Sequence, residues 1–322
     1  MNYRRLGRTN LKVSEIGFGG WAIGGDAPRH AWGSYGPVDD DDSRAAIRRA
    51  LELGVTVFDT ADVYGHGHSE LLLGEVIDSW PQKERVVVVT KGGINFYRDG
   101  EAAELDFTPY AIANAVEHSR ARLKRERIDV YLLMNPPVDL LIERSHIRES
   151  LVALQRAGHI GAYGVSVASI EDAQTLLASE FPLDVIEVPF NLFDQSAVLS
   201  VLPAAQKRKI GVLAREPLAN GFLTGKYGTS SKFAESDLRA GMPLPYRFAL
   251  FEASAELAAL LHKPDRSLTQ AALRFVLDEP GVTSVIPGAK TPEQVEENVR
   301  ASAAKPLTDD ERIGIHRVFF PE

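Results

Sequence analysis

Cysteine is absent from the 322-residue chain. Disulfides, thiolate nucleophiles and cysteine-held zinc are thereby excluded. Long apolar runs are absent too: none approaches the roughly 20 residues that cross a bilayer. The opening MNYRRLGRTN carries charge with no apolar stretch behind it, so no secretory signal is expected and the expected compartment is the cytoplasm. Basic charge is in short supply, with 36 Lys and Arg against 44 Asp and Glu and a net charge of −8. The two signs are mixed along the chain, which leaves no basic face for nucleic acid. No low-complexity tract and no Ser/Gly- or Pro-rich linker interrupts it. A single domain over residues 1–322 is expected. Its expected partner is a small-molecule substrate rather than a nucleic acid or a membrane, and its oligomeric state is left open.

What is present is a series of short apolar runs, each followed by a longer, more polar stretch. The runs are EIGFGG (15–20), VTVFDT (55–60), RVVVVTKGG (85–93) and IDVYLLMNPP (128–137). GAYGVSVAS (161–169), LDVIEVPFN (183–191), IGVLARE (210–216) and VTSVIPGAK (282–290) complete them. Continuous Val/Ile/Leu-rich runs suit parallel strands covered on both faces. Eight of them alternating with helical patterns over one undivided chain predict an α/β fold, a (β/α)8 TIM barrel. A doubly wound sheet would show a Gly-rich turn opening a helix directly after its first strand. Here the glycines of GFGGWAIGGDAPRHAWGSYG are scattered and lead into a long loop.

In such a barrel the chemistry sits at the C-terminal ends of the strands and in the loops after them. Asp59 ends the second run and Tyr64 follows in the next loop. Asp59 comes too early to cap a helix expected to begin near His68–Glu70. Taken alone, Tyr64 reads equally as a packing aromatic. Lys91 follows four valines at the end of the third strand. Burying its charge is costly unless it is paired, and Asp59 on the neighbouring strand can supply the pair. A purely structural ion pair is the alternative. Combined, the three describe a general acid: a lysine beside a phenol favours phenolate and lowers a pKa ordinarily near 10. Such an acid suits protonation of a carbonyl oxygen, and it needs a hydride donor.

Four spaced stretches, FDTADVYG, VVVVTKGG, PLANGFLTGKYG and VIPGAKTPEQVEEN, resemble the aldo-keto reductase superfamily in the same order. The resemblance runs from RRLGRTNLKVSEIGFGGWAIGG to QVEENVRA. It implies a (β/α)8 barrel that uses NADPH/NADP+ and reduces aldehydes and ketones. Asp59, Tyr64 and Lys91 match three members of the family's catalytic tetrad. The fourth, a histidine ending the fourth strand, is replaced here by Met134. A thioether has no proton to donate. Asn135 is adjacent, but successive strand side chains point to opposite faces, so it cannot take the histidine's place unless the strand end is irregular.

The resemblance also implies the cofactor set. Lys290 is expected at the adenosine 2′-phosphate, with Gln294, Glu297 and Asn298 around the adenine end of a helix that opens after the eighth strand. Pro217, Leu218, Gly221 and Leu223 match a loop that folds over the pyrophosphate, with Lys226 and Gly288 in the same motifs. Trp21, Ser166, Glu187 and Arg215 are placed around the nicotinamide. Glu187 stands where the family commonly has Gln, Val167 where many members have an amide, and Arg215 where many have an aromatic. Trp32, Phe96, Tyr97 and Asn135 are expected to line the substrate cleft.

Met134 leaves several chemistries open. They are carbonyl reduction without the histidine, and reduction of an imine or activated double bond. A redox-neutral reaction with retained cofactor and an NADPH-binding regulatory protein are the others. His66 and His68 show no third ligand and predict no metal. VDDDDS reads as acids gathered at a helix N-terminus.

Overall fold

The computed structural model describes residues 1–26, 34–96 and 104–319; Trp32 and Tyr97 lie outside them. In chain order, a hairpin of β1 (Tyr3–Arg5) and β2 (Lys12–Ser14) precedes β3 (Phe18–Gly19). Then come α1 (Asp40–Glu52), β4 (Val57–Asp59), α2 (His68–Asp78) and β5 (Val87–Gly92). A small pair, β6 (Ile94–Asn95) and β7 (Glu104–Leu105), leads to α3 (Pro109–Leu123) and β8 (Ile128–Met134). α4 (Val138–Glu143) and α5 (Ser145–Arg156) follow, then β9 (Ile160–Ser166) and α6 (Ile170–Ala178). β10 (Val185–Pro189), α7 (Val201–Lys207) and β11 (Gly211–Arg215) come next. α8 (Leu244–Leu261), α9 (Leu268–Asp278), β12 (Ser284–Val285), α10 (Pro292–Arg300) and α11 (Asp309–Phe319) end the chain.

Eight strands pair in the order β12-β11-β10-β9-β8-β5-β4-β3, every pair parallel. Parallel bridges from Ile16 to Val285 and from Gly19 to Gly288 join the two edges and close the barrel. All eight expected strands are present. Gly19 permits the closure, since a Cβ there would lie 2.7 Å from the Ile286 carbonyl oxygen. Gly164 does the same between β9 and β10, where a Cβ would sit 1.7 Å from the Val185 carbonyl oxygen.

Side chains alternate in and out along each strand. Val57, Val87, Val89, Val130, Leu132, Ala162, Val185 and Leu213 fill the interior as one apolar cluster. Leu6 and Val13 of the leading hairpin join it and plug the N-terminal end. Two residues further along these strands, the same inward phase brings Asp59, Lys91, Met134, Glu187 and Arg215, and on β9, beyond Gly164, Ser166. The barrel is thus dry below and, apart from Met134, polar at its C-terminal end. The outward residues form a second, larger core beneath the helices. Local capping fixes where those helices begin: the Asp39 carboxylate accepts from the Asp41 and Asp42 amides and starts α1, so VDDDDS is a helix N-terminus. Among the described residues, no helix is long and apolar enough to cross a membrane.

Candidate active site

Lys91 is fully buried, and Asp59 is 3% exposed. Lys91 Nζ donates to both Asp59 carboxylate oxygens at 2.7 Å and to the Thr60 carbonyl at 3.0 Å. It also lies 3.4 Å from the Tyr64 hydroxyl and 5.1 Å from the centre of that ring. The Trp21 indole packs edge-on against Tyr64 at 4.8 Å. The cluster expected from the strand ends is therefore assembled. Its ring is held from one side by an aromatic and from beneath by a cation.

One partner was assigned elsewhere by the sequence. Glu187, on β10, lies 3.4 Å from Lys91 Nζ and accepts from Ser166 Oγ at 2.9 Å. It was expected at the nicotinamide; here it belongs also to the lysine. Its inward phase on the strand was the available signal.

Electrostatics correct a second expectation. Burial pushes the Tyr64 hydroxyl up to about 12; Lys91 pulls it back without prevailing, while Asp59 and Glu187 add to the rise. A phenolate in this dry, twice-carboxylated environment loses more solvation than one lysine restores. Tyr64 is accordingly held protonated at neutral pH. Burial and then Glu187 raise Asp59 well above the usual carboxylate range, against the pull of Lys91. For Lys91 itself burial acts against the charge, but Asp59 and Glu187 outweigh it and raise its pKa above an ordinary lysine's.

Met134 ends β8 and packs with Ala61, Val63, Tyr64 and Ile94, flanked by Trp21 and Phe96. It makes the floor of the site apolar. Beyond it the strand end is irregular: Asn135 has φ 48° and its amide bonds the Ser166 carbonyl at 2.8 Å. Strict alternation therefore stops, and both Met134 and Asn135 line the same cleft. Phe96 stacks on His66 at 4.6 Å and borders the floor. His68 is occupied by the Gly24 carbonyl and Asp40.

The cleft above the cluster has a volume of about 800 Å³. Trp21, Asp59, Tyr64, Met134, Asn135, Ser166, Glu187 and Arg215 line its inner end. Pro217, Leu218, Gly221, Lys226, Gly288, Lys290, Gln294, Glu297 and Asn298 line the rest. Lys91 lies beneath Asp59 and Tyr64. Leu223, expected in the same loop through its backbone, has its side chain wholly buried in the core under the helices, because the loop turns inward through three left-handed residues, Ala219, Asn220 and Gly221. Glu297 is engaged by Ser267 and Gln270, the capping box of α9. Arg215 is held by Glu216 and the Val167 carbonyl.

Among the lining residues, Arg239 carried no signal in the sequence. Arg239, in the insert after β11, pairs with Asp237 and lies 4.5–4.9 Å from the ring centres of Tyr35, Tyr227 and Phe233. The Tyr35 hydroxyl donates to Asn220 at 2.6 Å, and Lys290 Nζ donates to the Tyr35 and Pro37 carbonyls at 2.8 and 3.2 Å. Three loops thus meet across the cleft. Burial depresses the pKa of Lys290, and the nearby Arg239 and Lys226 depress it further. These cations stand near the N-terminus of α10, where Thr291 caps the helix. The charge gathered there fits a phosphate, so the donor set fits a phosphorylated dinucleotide.

A closed parallel barrel thus carries a buried Asp–Lys–Tyr cluster at the C-terminal end of its strands, below a long cleft. The Aldo/keto reductase family matches residues 15–317, and the chain belongs to that family of oxidoreductases. The aldo-keto reductase YhdN of Bacillus subtilis is 34% identical over 305 residues, spanning 92% of this chain and 87% of that protein. Among solved structures, the glycerol dehydrogenase of Gluconobacter oxydans is 32% identical, with a TM-score of 0.82 over 98% of this chain and 94% of its own. A holo-form aldo-keto reductase from Bacillus halodurans is 27% identical, with a TM-score of 0.79 over 99% and 96%.

Proposed function

We propose that the protein is an NADP(H)-dependent oxidoreductase that interconverts a carbonyl and an alcohol, with Tyr64 as the proton-transferring group. The observation that carries this reading is the Tyr64 hydroxyl, 3.4 Å from a lysine that is itself fixed by Asp59 at 2.7 Å, at the floor of the cleft. When bound, the cofactor supplies or accepts the hydride. Everything else falls to the chain. Lys290, Gln294 and Asn298 hold the adenosine end, and the segment 217–221 holds the pyrophosphate. Ser166 and Glu187 face the nicotinamide. Lys290 at a phosphate favours NADPH over NADH, as does its cationic surrounding.

Tyr64 donates its proton to the carbonyl oxygen as charge develops there. Lys91 then stabilises the phenolate left behind. Met134 offers no second donor. The site therefore relies on Tyr64 and on an apolar floor that excludes water, which strengthens each remaining interaction. A small polyol is the substrate class we propose, since the solved relative named above is a glycerol dehydrogenase.

The test is Tyr64→Phe. Turnover should fall by about 10²–10⁴-fold, the range for loss of a positioned acid, while NADPH affinity, read by nicotinamide fluorescence, stays within a few-fold. Turnover near that of the parent would remove Tyr64 from the chemistry.

A further inference from the structure

Lys91 has three ammonium hydrogens. Four acceptors already compete for them: the two Asp59 oxygens at 2.7 Å, the Thr60 carbonyl at 3.0 Å and the Tyr64 hydroxyl at 3.4 Å. None is left for Glu187 Oε2, which lies 3.4 Å away, buried and without a hydrogen-bond donor. Its other oxygen already accepts from Ser166. Glu187 is 1% exposed, so water does not complete its shell. Asp59 and Glu187 crowd one ammonium, at 2.7 and 3.4 Å from Lys91 Nζ. Two buried carboxylates that share a single cation are stabilised by taking up a proton.

We infer that Glu187 and Asp59 form a carboxyl–carboxylate pair that holds one shared proton at neutral pH, and that this pair reloads Tyr64 through Lys91. The charge count agrees: one ammonium and two carboxylates would leave a buried net charge of −1, and one proton cancels it. Among the described residues the neighbouring strands supply no second free cation: β4, β5 and the following loop bring Asp59, Lys91 and Tyr64, β9 brings Ser166 and β8 brings Met134. On β11 the residue opposite Glu187 is Leu213, and Arg215 beyond it is committed to Glu216 and the Val167 carbonyl. The upward displacement of Asp59 by burial and by Glu187 points the same way.

In carbonyl reduction Tyr64 gives its proton to the substrate oxygen and becomes phenolate. Lys91 returns a proton to the phenolate, and the resulting amine takes the shared proton from the carboxyl pair. The pair, now fully ionised beside an ammonium, regains a proton from solvent when the product leaves the cleft. In the alcohol-oxidising direction each transfer reverses. No oxidant or reductant beyond the hydride couple is needed. The second half of this inference rests on the proposed reductase activity; the shared proton does not.

The experiment is infrared spectroscopy of the full chain without cofactor, in H2O and D2O, on the parent and on Glu187→Gln. The parent should show a protonated carboxyl stretch at neutral pH that shifts in D2O. In Glu187→Gln it should vanish, because Asp59 alone with Lys91 ionises. Absence of the band in the parent overturns the inference, as does its persistence in the variant. Kinetics then read the relay separately. Glu187→Gln should lower steady-state kcat by about tenfold or more, while the first turnover, which uses a proton already on Tyr64, changes far less. Equal loss in both would refute the reloading role. A band that behaves as expected in a protein that reduces no carbonyl would leave the proton pair standing and remove the proposed activity instead.

Discussion

Met134 stands where the resemblance read from the sequence expects a histidine. The structure shows what stands there: a thioether in a small apolar cluster against Tyr64, Ile94 and Ala61. A thioether has no proton to donate, and one donated hydrogen bond to a reacting oxygen is worth roughly 10²–10³ in rate. Met134→His should therefore raise kcat/KM on simple aldehydes by about tenfold or more, measured by loss of nicotinamide absorbance. Unchanged activity would mean that the proton chemistry has been rebuilt around Glu187 and no longer uses that position. Asn135 shows how far sequence reasoning carries at this scale. Alternation placed it on the far face, and its left-handed backbone returned it to the cleft. An Asn tolerates that conformation at low cost, but no pattern of residue types announces it.

At the scale of elements, the barrel's outer ring is tied by ion pairs that cross between helices. Glu311, in the first turn of α11, accepts from Arg266, just ahead of α9, and pairs with Lys263 at 2.6 Å, just after α8. Burial acts to raise its pKa, but the Arg266 and Lys263 hydrogen bonds outweigh this and bring it to about 2. A carboxylate whose folded pKa lies below its unfolded one contributes stability above the unfolded value and loses it as pH falls toward the folded one. Glu311→Gln should therefore be less stable than the parent near neutrality. The gap should close between about pH 5 and pH 2. Chemical denaturation across that range checks it; a gap independent of pH would show that the carboxylate's charge contributes nothing. The same scale explains the cleft. The insert after β11 supplies Arg239, Tyr227 and Asn220, which meet Tyr35 from the first loop and Lys290 from the loop before α10. Loops of different origin converge only because the barrel brings all strand ends to one rim.

At the scale of the molecule, the site depends on barrel closure and register. Met134, Ser166 and Glu187 lie side by side because β8, β9 and β10 pair in one register. Gly164 sets the approach of β9 to β10. Gly164→Ala would place a methyl group 1.7 Å from the Val185 carbonyl oxygen. It should cost roughly 1–3 kcal/mol or more of stability and reduce activity together with it, because Glu187 and Ser166 move apart. A thermal melt alongside activity tests this. A variant with parental stability would show that this contact is slack.

The sequence by itself determined the eight strands, their parallel character and the strand-end positions of Asp59, Tyr64 and Lys91. Those features are written in local pattern: apolar runs of strand length, turn residues after them, and a charge next to valines that demands a partner. It also marked Met134 as the departure. Only the tertiary structure decided what Glu187 touches, how the Asn135 backbone turns into the cleft and that Tyr64 stays protonated. Each of these is set by residues distant in the chain, as Glu187 and Lys91 are, brought within a few ångströms in a buried space. There the balance of burial against charge depends on every neighbour at once, and no local pattern records it.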